Sequence, residues 1–376
     1  MHIQQKPGAR EFSSNLGDII ALLSQSTTAC KVEIAIDGYR TIYSQLLTPY
    51  DDGSVKSLFF EGLQELLQPY TSYLTVYRIS VTLTEYAGTT QGASESFNTW
   101  VYYHDGDLTE GFADFYGNSF LSSFTRKRTT LTRKETLYFP SPDTQSRIAE
   151  SSIRAYYTDG TYSDHSLTVN YDMSLLEMRY ITFSPGNYEV DGKTLYRLVA
   201  GVTTEMLDDN QEVEDTRYMS MEYIIDTEHP DGGEPVMIYM NAFGVPETLY
   251  CTGTEESDID VEREVTTING KTVNYRQTMT RLWNADTGIL EESEVEGVLD
   301  LFRSPTIMQC RIDETGNYSK WKEVVITDQE AKYTNDDDDL PRYTFTYKNA
   351  EKNVSARSSD IQHPYIFTIQ YNVFYE

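Results

Sequence analysis

Cysteine is scarce in these 376 residues: Cys30, Cys251 and Cys310 are odd in number and far apart. No Cys-x-x-Cys pair and no cysteine–histidine spacing of a zinc site occurs, so neither a disulfide framework nor a structural zinc is expected. The five histidines, His2, His104, His165, His229 and His363, are scattered, with no HExxH pattern. Each stands near turn or polar residues, which predicts exposed imidazoles without ligand or catalytic duty. Nucleophile elbows, phosphate loops and dinucleotide fingerprints are missing, so no cofactor and no enzyme activity are expected.

Positive charge is short as well. Thirty Lys plus Arg stand against 59 Asp plus Glu, a formal charge of −29. Phosphate recognition depends on basic side chains, so a general nucleic-acid surface is excluded, and docking on anionic lipid is disfavoured. No apolar run approaches the ~18 residues of a spanning helix. The opening MHIQQKPGAREFSSNLGD has no signal-peptide core. The expectation is synthesis in the cytosol without encoded export, and no membrane insertion.

What the chain has is tyrosine, 30 residues of it, in a composition that is 13 % aromatic and 39 % hydrophobic. Tyrosine suits half-buried pleated surfaces and contact patches alike. Strand patterns dominate. Val32, Ile34 and Ile36 alternate with polar residues before Asp37-Gly38, and Ile79, Val81 and Leu83 alternate with Ser80, Thr82 and Thr84. The hairpin grammar recurs at Asp159-Gly160, Asp191-Gly192 and Asn269-Gly270, dipeptides that tolerate the positive φ of tight turns. Phe367, Ile369, Tyr371, Val373 and Tyr375 predict a closing strand.

Two segments read as helices. Phe59, Leu63, Leu66 and Leu67 form one stripe between Ser57 and Pro69, and Val295, Val298, Leu299 and Phe302 form another between Glu294 and Pro305. The predicted fold is therefore all-β: two or three β-sandwich domains, Ig-like or Greek-key, with two short capping helices. Turn-rich stretches at 139–145 and 226–235 divide it into a β domain with one helix (1–140), a middle sandwich (141–235) and a C-terminal β domain with one helix (236–376).

One segment breaks the acidic trend. TRKRTTLTRKE gathers Arg126, Lys127, Arg128, Arg133 and Lys134, a candidate interface complementary to an acidic surface on another copy of the chain. Asp336–Asp339 could gather Ca²⁺ but lack the spacing of an EF-hand, and a solvated hairpin tip explains them more simply. A glycosidase would need a carboxylate pair in an aromatic groove, for which Trp100, Tyr102, Tyr103 and Asp105 are conceivable members. Three tryptophans are few for such a cleft.

Four phrases carry a likeness: DGYRTIYSQLLTPYDDGSVKSLFFEGLQELL, MNAFGVPETLYCTGTEE, EGVLDLFRSPTIMQC and YSKWKEVVITDQEAKYTNDDDDLPRYTFTYKNA. The chain resembles uncharacterised β-rich, tail-associated structural proteins of phages and prophages of gut bacteria, most strongly over residues 236–376. The resemblance implies a non-enzymatic structural component of a virion tail or baseplate, made in the host cytoplasm, partnered by its own copies and neighbouring virion proteins as a homo-oligomer. It implies no catalytic residue. A receptor- or carbohydrate-binding module at a cell or phage surface is the alternative that shares the expected fold.

Overall fold

The computed structural model describes residues 1–70, 76–106, 110–171, 178–227, 235–268, 270–312, 318–330 and 341–350. The predicted closing strand and the Asp336–Asp339 run lie outside the described residues, as does most of the predicted 226–235 linker. The fold is all-β, with three short α-helices among the described residues. Contacts divide the chain into two compact units. One comprises 1–119 with 171–178 and 242–244, and the other comprises 120–170, 179–241 and 245–376. The boundaries drawn from sequence at 140 and 235 both fall inside the second unit.

The first unit is a two-sheet sandwich. Strands β1 (His2–Gln5), β3 (Ile19–Leu23), β7 (Lys56–Phe60) and β6 (Tyr50–Asp51) form one sheet in the order β1-β3-β7-β6. Strands β2 (Arg10–Phe12), β9 (Thr90–Tyr102), β8 (Val76–Ala87), β4 (Ala29–Ile36) and β5 (Arg40–Leu47) form the other in that order. Cys30, Val32 and Ile34 of β4 and Ile79, Val81 and Leu83 of β8 bury the face that alternation assigned them, against Ile19, Ala21 and Leu58 of the facing sheet. Gly38, at φ +73°, makes the predicted turn between β4 and β5.

The first predicted helix begins as a strand. Lys56–Phe60 is β7, with Leu58 and Phe60 buried and Phe59 exposed, a period of two. Only Leu63–Leu67 is α-helical (α1), and it seats Leu63 and Leu67 in the core. Phe59 stands four residues before Leu63, so the spacing reads as a helical stripe, but its ring is exposed on the outer face of β7.

A second helix, α2 (Phe112–Phe115), closes an aromatic cluster with no counterpart in the sequence reading. Phe12 lies 5.1 Å from both Phe112 and Phe115 and 5.7 Å from Phe243, centroid to centroid. His104 is wedged in it, 4.8 Å from Phe243, with Nδ1 2.6 Å from Ser14 Oγ. It is buried, contrary to the exposure expected of all five histidines. Tyr102 is buried in the same cluster, 4.7 Å from Phe112, and so does not line an open groove.

The second unit begins with β10 (Arg126–Thr129), β11 (Glu135–Pro140), β12 (Ser146–Tyr157), β13 (Tyr162–Ser166), β14 (Val169–Tyr171), β15 (Met178–Phe183), β16 (Leu195–Leu207) and β17 (Val213–Ile225). A five-stranded sheet, β10-β17-β16-β12-β13, faces a three-stranded one, β11-β15-β14. Ile153, Ala155, Leu198, Ala200, Met219 and Met221 pack from the first sheet onto Leu137, Phe139, Ile181 and Phe183 of the second. Asp159-Gly160 forms the predicted hairpin between β12 and β13, whereas Asp191-Gly192 closes only a single bridge, Val190 to Lys193.

The remainder builds a seven-stranded sheet in the order β19-β18-β22-β23-β24-β21-β20. These are β18 (Val236–Met240), β19 (Pro246–Tyr250), β20 (Glu255–Ile268), β21 (Lys271–Asp286), β22 (Ile307–Ile312), β23 (Tyr318–Glu330) and β24 (Thr344–Asn349). Strand β18 is buried on both faces: Met237 and Tyr239 join one cluster, Val236 and Ile238 another. The first face is covered by α3 (Glu292–Arg303) through Val295, Val298 and Leu301; of the stripe read from sequence Val295 and Val298 are buried, and Leu299 and Phe302 pack against the cluster partly buried. Glu294 accepts the Glu291 amide at 3.0 Å at the helix start, Arg303 occupies the last turn, and Ser304-Pro305 follows. Gly297 lets the helix approach closely: its carbonyl accepts the Tyr239 hydroxyl, and a β-carbon there would overlap the Phe124 ring.

Candidate interaction surfaces

The five cations of the predicted basic patch separate when the chain folds. Along β10 the side chains alternate, so Lys127 turns inward while Arg126 and Arg128 turn outward. Lys127 Nζ is buried and donates to Glu135 Oε2 at 3.2 Å, Glu247 Oε1 at 2.9 Å and Thr248 Oγ1 at 2.9 Å, which uses all three of its protons. The carboxylates are satisfied in turn, Glu135 by Thr129 Oγ1 at 2.8 Å and Glu247 by Ser122 Oγ at 2.8 Å. Arg133, only 2 % exposed, lays its guanidinium 3.7 Å from the centroid of Tyr250. Tyr250 meets Tyr318 hydroxyl to hydroxyl at 3.0 Å.

Lys127 and Arg133 therefore act inside the chain and present no surface charge. Of the other three, Arg126 bridges Glu222 and Glu291, and Arg128 is held by Glu294. Lys134 is partly buried, its ammonium made more acidic than usual by desolvation. Burial alone would lower the Lys127 value, but Glu135 and Glu247 outweigh it and hold the ammonium above its ordinary range. The cluster ties β10 to the strands that carry Glu135 and Glu247, β11 and β19. A cavity of about 20 Å³ beside it, bordered by Arg128, Arg133, Tyr250 and Glu294, has room for about one water.

A first open surface is the outer face of the five-stranded sheet. Tyr156 and Arg154 of β12 stand beside Tyr162 and Asp164 of β13, and beyond them come Arg197 of β16 and Tyr218 and Glu222 of β17. Arg154 grips Asp164 with two bonds, at 2.6 and 3.0 Å, and lies 4.6 Å from the Tyr162 centroid. Arg197 lies 4.0 Å from the Tyr156 centroid and bonds Glu222 at 3.2 Å. Tyr162 is 59 % exposed and Tyr218 is 52 % exposed. Rings sandwiched with guanidinium groups make a flat, stiff patch able to stack on a partner.

A second is the hairpin β20–β21. It is paired without a break in partnership from Glu255↔Ala285 to Ile268↔Lys271, with one bulge at Glu264/Val265. Strand β24 supports it only at Trp283–Asp286. From Asp258↔Leu282 outward, no third strand joins it among the described residues, leaving a two-stranded arm of roughly 35 Å. Its root is firm: Trp283 stacks on Tyr347 at 5.6 Å and 13°, and Glu255 holds both Arg311 and Tyr347. The register gives the arm two faces. Ile259 and Val261 share one with Met279 and Arg281, while Asp258, Asp260 and Glu262 fall on the other, with Leu282 and Thr280.

No protein-family model matches the chain, and no curated protein does either. Among solved structures, one titled "BspA_C_WT" matches at 9 % identity with a TM-score of 0.14, covering 59 % of this chain and 96 % of that one. A likeness that low carries no argument about fold or role.

Neither surface was legible as a surface in the sequence. The signal for the arm was present in Asn269-Gly270 flanked by two long alternating runs, but alternation does not reveal whether a third strand covers a hairpin. The signal for the tyrosine face was the spacing of Tyr156 and Tyr162 about Asp159-Gly160, which places two rings side by side across a tight turn.

Proposed function

We propose that this chain is a non-enzymatic structural protein that works by joining copies of itself and neighbouring proteins, and that its setting is the phage tail or baseplate its phrases resemble. The observation that carries the assembly reading is the β20–β21 arm. Ile259, Val265 and Met279 are 45 %, 58 % and 53 % exposed on it. An isolated two-stranded ribbon is marginal in water, and bare strand edges are templates for pairing. A chain that extends such an arm from a firmly packed root gains its stability on contact. The test is the mass of the purified protein by light scattering across a concentration series. A discrete multimer is expected, and a monomer at every concentration, alone and in lysate of an infected host, would refute the reading.

The second reading, a carbohydrate- or receptor-binding module, is favoured by the Tyr156–Tyr162–Tyr218 face with its two guanidinium groups. Ligand that binds only the folded protein raises its melting temperature. A glycan array followed by thermal shift with any hit, lost on Tyr162→Ala, is the outcome this reading requires.

A further inference from the structure

We infer that the Lys127 cluster is a site of covalent self-linkage: the Lys127 amine condenses with the Glu247 carboxyl, joining β10 to β19 by an amide bond. Glu135 carries the proton, and one water is released. All the groups involved belong to the second unit of a single chain, so no other copy is needed.

The geometry supplies an amine, an acyl acceptor and a separate acid–base. Lys127, Glu135 and Glu247 are only 4 %, 1 % and 7 % exposed. A structural ion pair requires one carboxylate; this lysine faces two, and their surroundings differ. Glu247 presents Oε1 to the amine at 2.9 Å, while Ser122 Oγ donates to its Oε2 at 2.8 Å. Oε2 is the oxygen that gains charge when the amine attacks, so the Ser122 hydroxyl is placed to stabilise it. Glu135 has Oε1 held by Thr129 Oγ1 and Oε2 turned to the amine at 3.2 Å, where it can accept a proton. The rings of Phe124 and Tyr250 flank Nζ, at 5.4 and 5.8 Å from their centroids.

The step balances without an added reagent. The ammonium hands one proton to Glu247 Oε1, leaving a neutral amine beside a neutral carboxylic acid. The nitrogen lone pair attacks Cδ and the Nζ–Cδ bond forms. Glu135 takes a second proton from the nitrogen and delivers it to Oε1. The Cδ–Oε1 bond breaks, and that oxygen leaves as water with both protons. The third proton stays on the amide, and Glu135 ends as the carboxylate it began as. The cavity of about 20 Å³ that Lys127 borders has room for the released water.

In open water such a condensation is unfavourable. Here the reactants are already held together, which replaces a bimolecular encounter, and burial penalises the charged pair relative to the neutral amide. The two carboxylates hold the ammonium above its ordinary range, so the neutral pair is rare and linkage is slow. Until it occurs the cluster is the ion-paired one described above, and Lys127 still titrates. The share of stability due to the ion pairs is therefore read on freshly folded chain.

The test is the intact mass of the full chain in denaturant at intervals after purification, with peptide mapping. Folded wild type is expected to become lighter than its sequence by one water, with a branched peptide joining the Lys127 and Glu247 segments. Lys127→Arg should give no such peptide, and Glu247→Gln should give the same one with loss of ammonia. Glu135→Gln keeps both ends of the bond and should link about 100-fold more slowly. Circular dichroism checks that each variant folds. Wild type that stays folded at its full sequence mass would overturn the inference whatever the variants do. Loss of water without a branched peptide would overturn it equally, since an Asp-Gly turn can dehydrate by itself. A branch through Glu135 would overturn the choice of acceptor, and Glu135→Gln linking at the wild-type rate would remove Glu135 from the step.

Discussion

Tyr218 lies across Gly201, on the neighbouring strand, so closely that a β-carbon at position 201 would overlap its ring. The glycine sits within β16, where it weakens strand propensity, and its lack of a side chain is what allows the tyrosine to lie flat on the sheet. Gly201→Ala is expected to swing the exposed ring outward, because its far end is free to move, with a change in stability below about 1 kcal/mol. Any ligand affinity of the tyrosine face would fall with it. Denaturant unfolding alongside a binding assay separates the two effects, and a large loss of stability would show that Tyr218 is not so easily displaced.

Gly297 provides the contrast. A β-carbon there would overlap Phe124, which is buried in the core, so nothing can swing aside. Gly297→Ala should gain helix propensity yet lose roughly 1–3 kcal/mol to overpacking. Urea midpoints compare the two glycine variants directly.

Lys127→Met would leave Glu135 and Glu247 buried beside no cation. The expected loss is about 3–5 kcal/mol, and most of it should return in the triple variant with Glu135→Gln and Glu247→Gln. A single variant as stable as the wild type would mean that water reaches the cluster.

Stability should fall at high pH. Lys127 in the folded chain is held above its ordinary 10.5 by Glu135 and Glu247 against burial, so its contribution is whole below about that pH and fades as pH rises through the folded value. Burial pushes the hydroxyls of Tyr223, Tyr239 and Tyr250 well above 10.0, and they act in the same direction. Unfolding midpoints that fall as pH rises beyond about 9, where the thiols freed by unfolding also ionise, with a step of tyrosinate absorbance from the buried rings at unfolding, are expected. Unfolding at high pH with no added step of tyrosinate absorbance would contradict this.

The three cysteines are buried and free. Burial raises the Cys30 thiol to about 11 and those of Cys251 and Cys310 further. At pH 8 a thiol reagent should label none in native buffer and all three in denaturant, and rapid native labelling would show that one of these pockets opens.

How far the sequence could be read depended on whether the deciding contact was local. The turn at Gly38, the alternation of β4 and β8 and the stripe of α3 depend on residues within a few positions of one another, and each was legible. The placement of Lys127 was not. In sequence it belongs to a basic run; in the fold it answers to Glu247, 120 residues away. The same holds for β10, whose parallel partner β17 lies 96 residues further on at Arg126–Glu222. His104 was misjudged for a related reason, since Phe12 and Phe243, which enclose it, come from distant parts of the chain.

That distance also sets an order of events at the ribosome. When β10 emerges it has no strand to pair with, and Lys127 has one of its two carboxylates but lacks the other. At ~5–20 residues per second, roughly ten seconds pass before β17 and then Glu247 are made. Through that interval the nascent second unit carries a solvated lysine destined for the interior, and the unit can close only after translation has run past position 247.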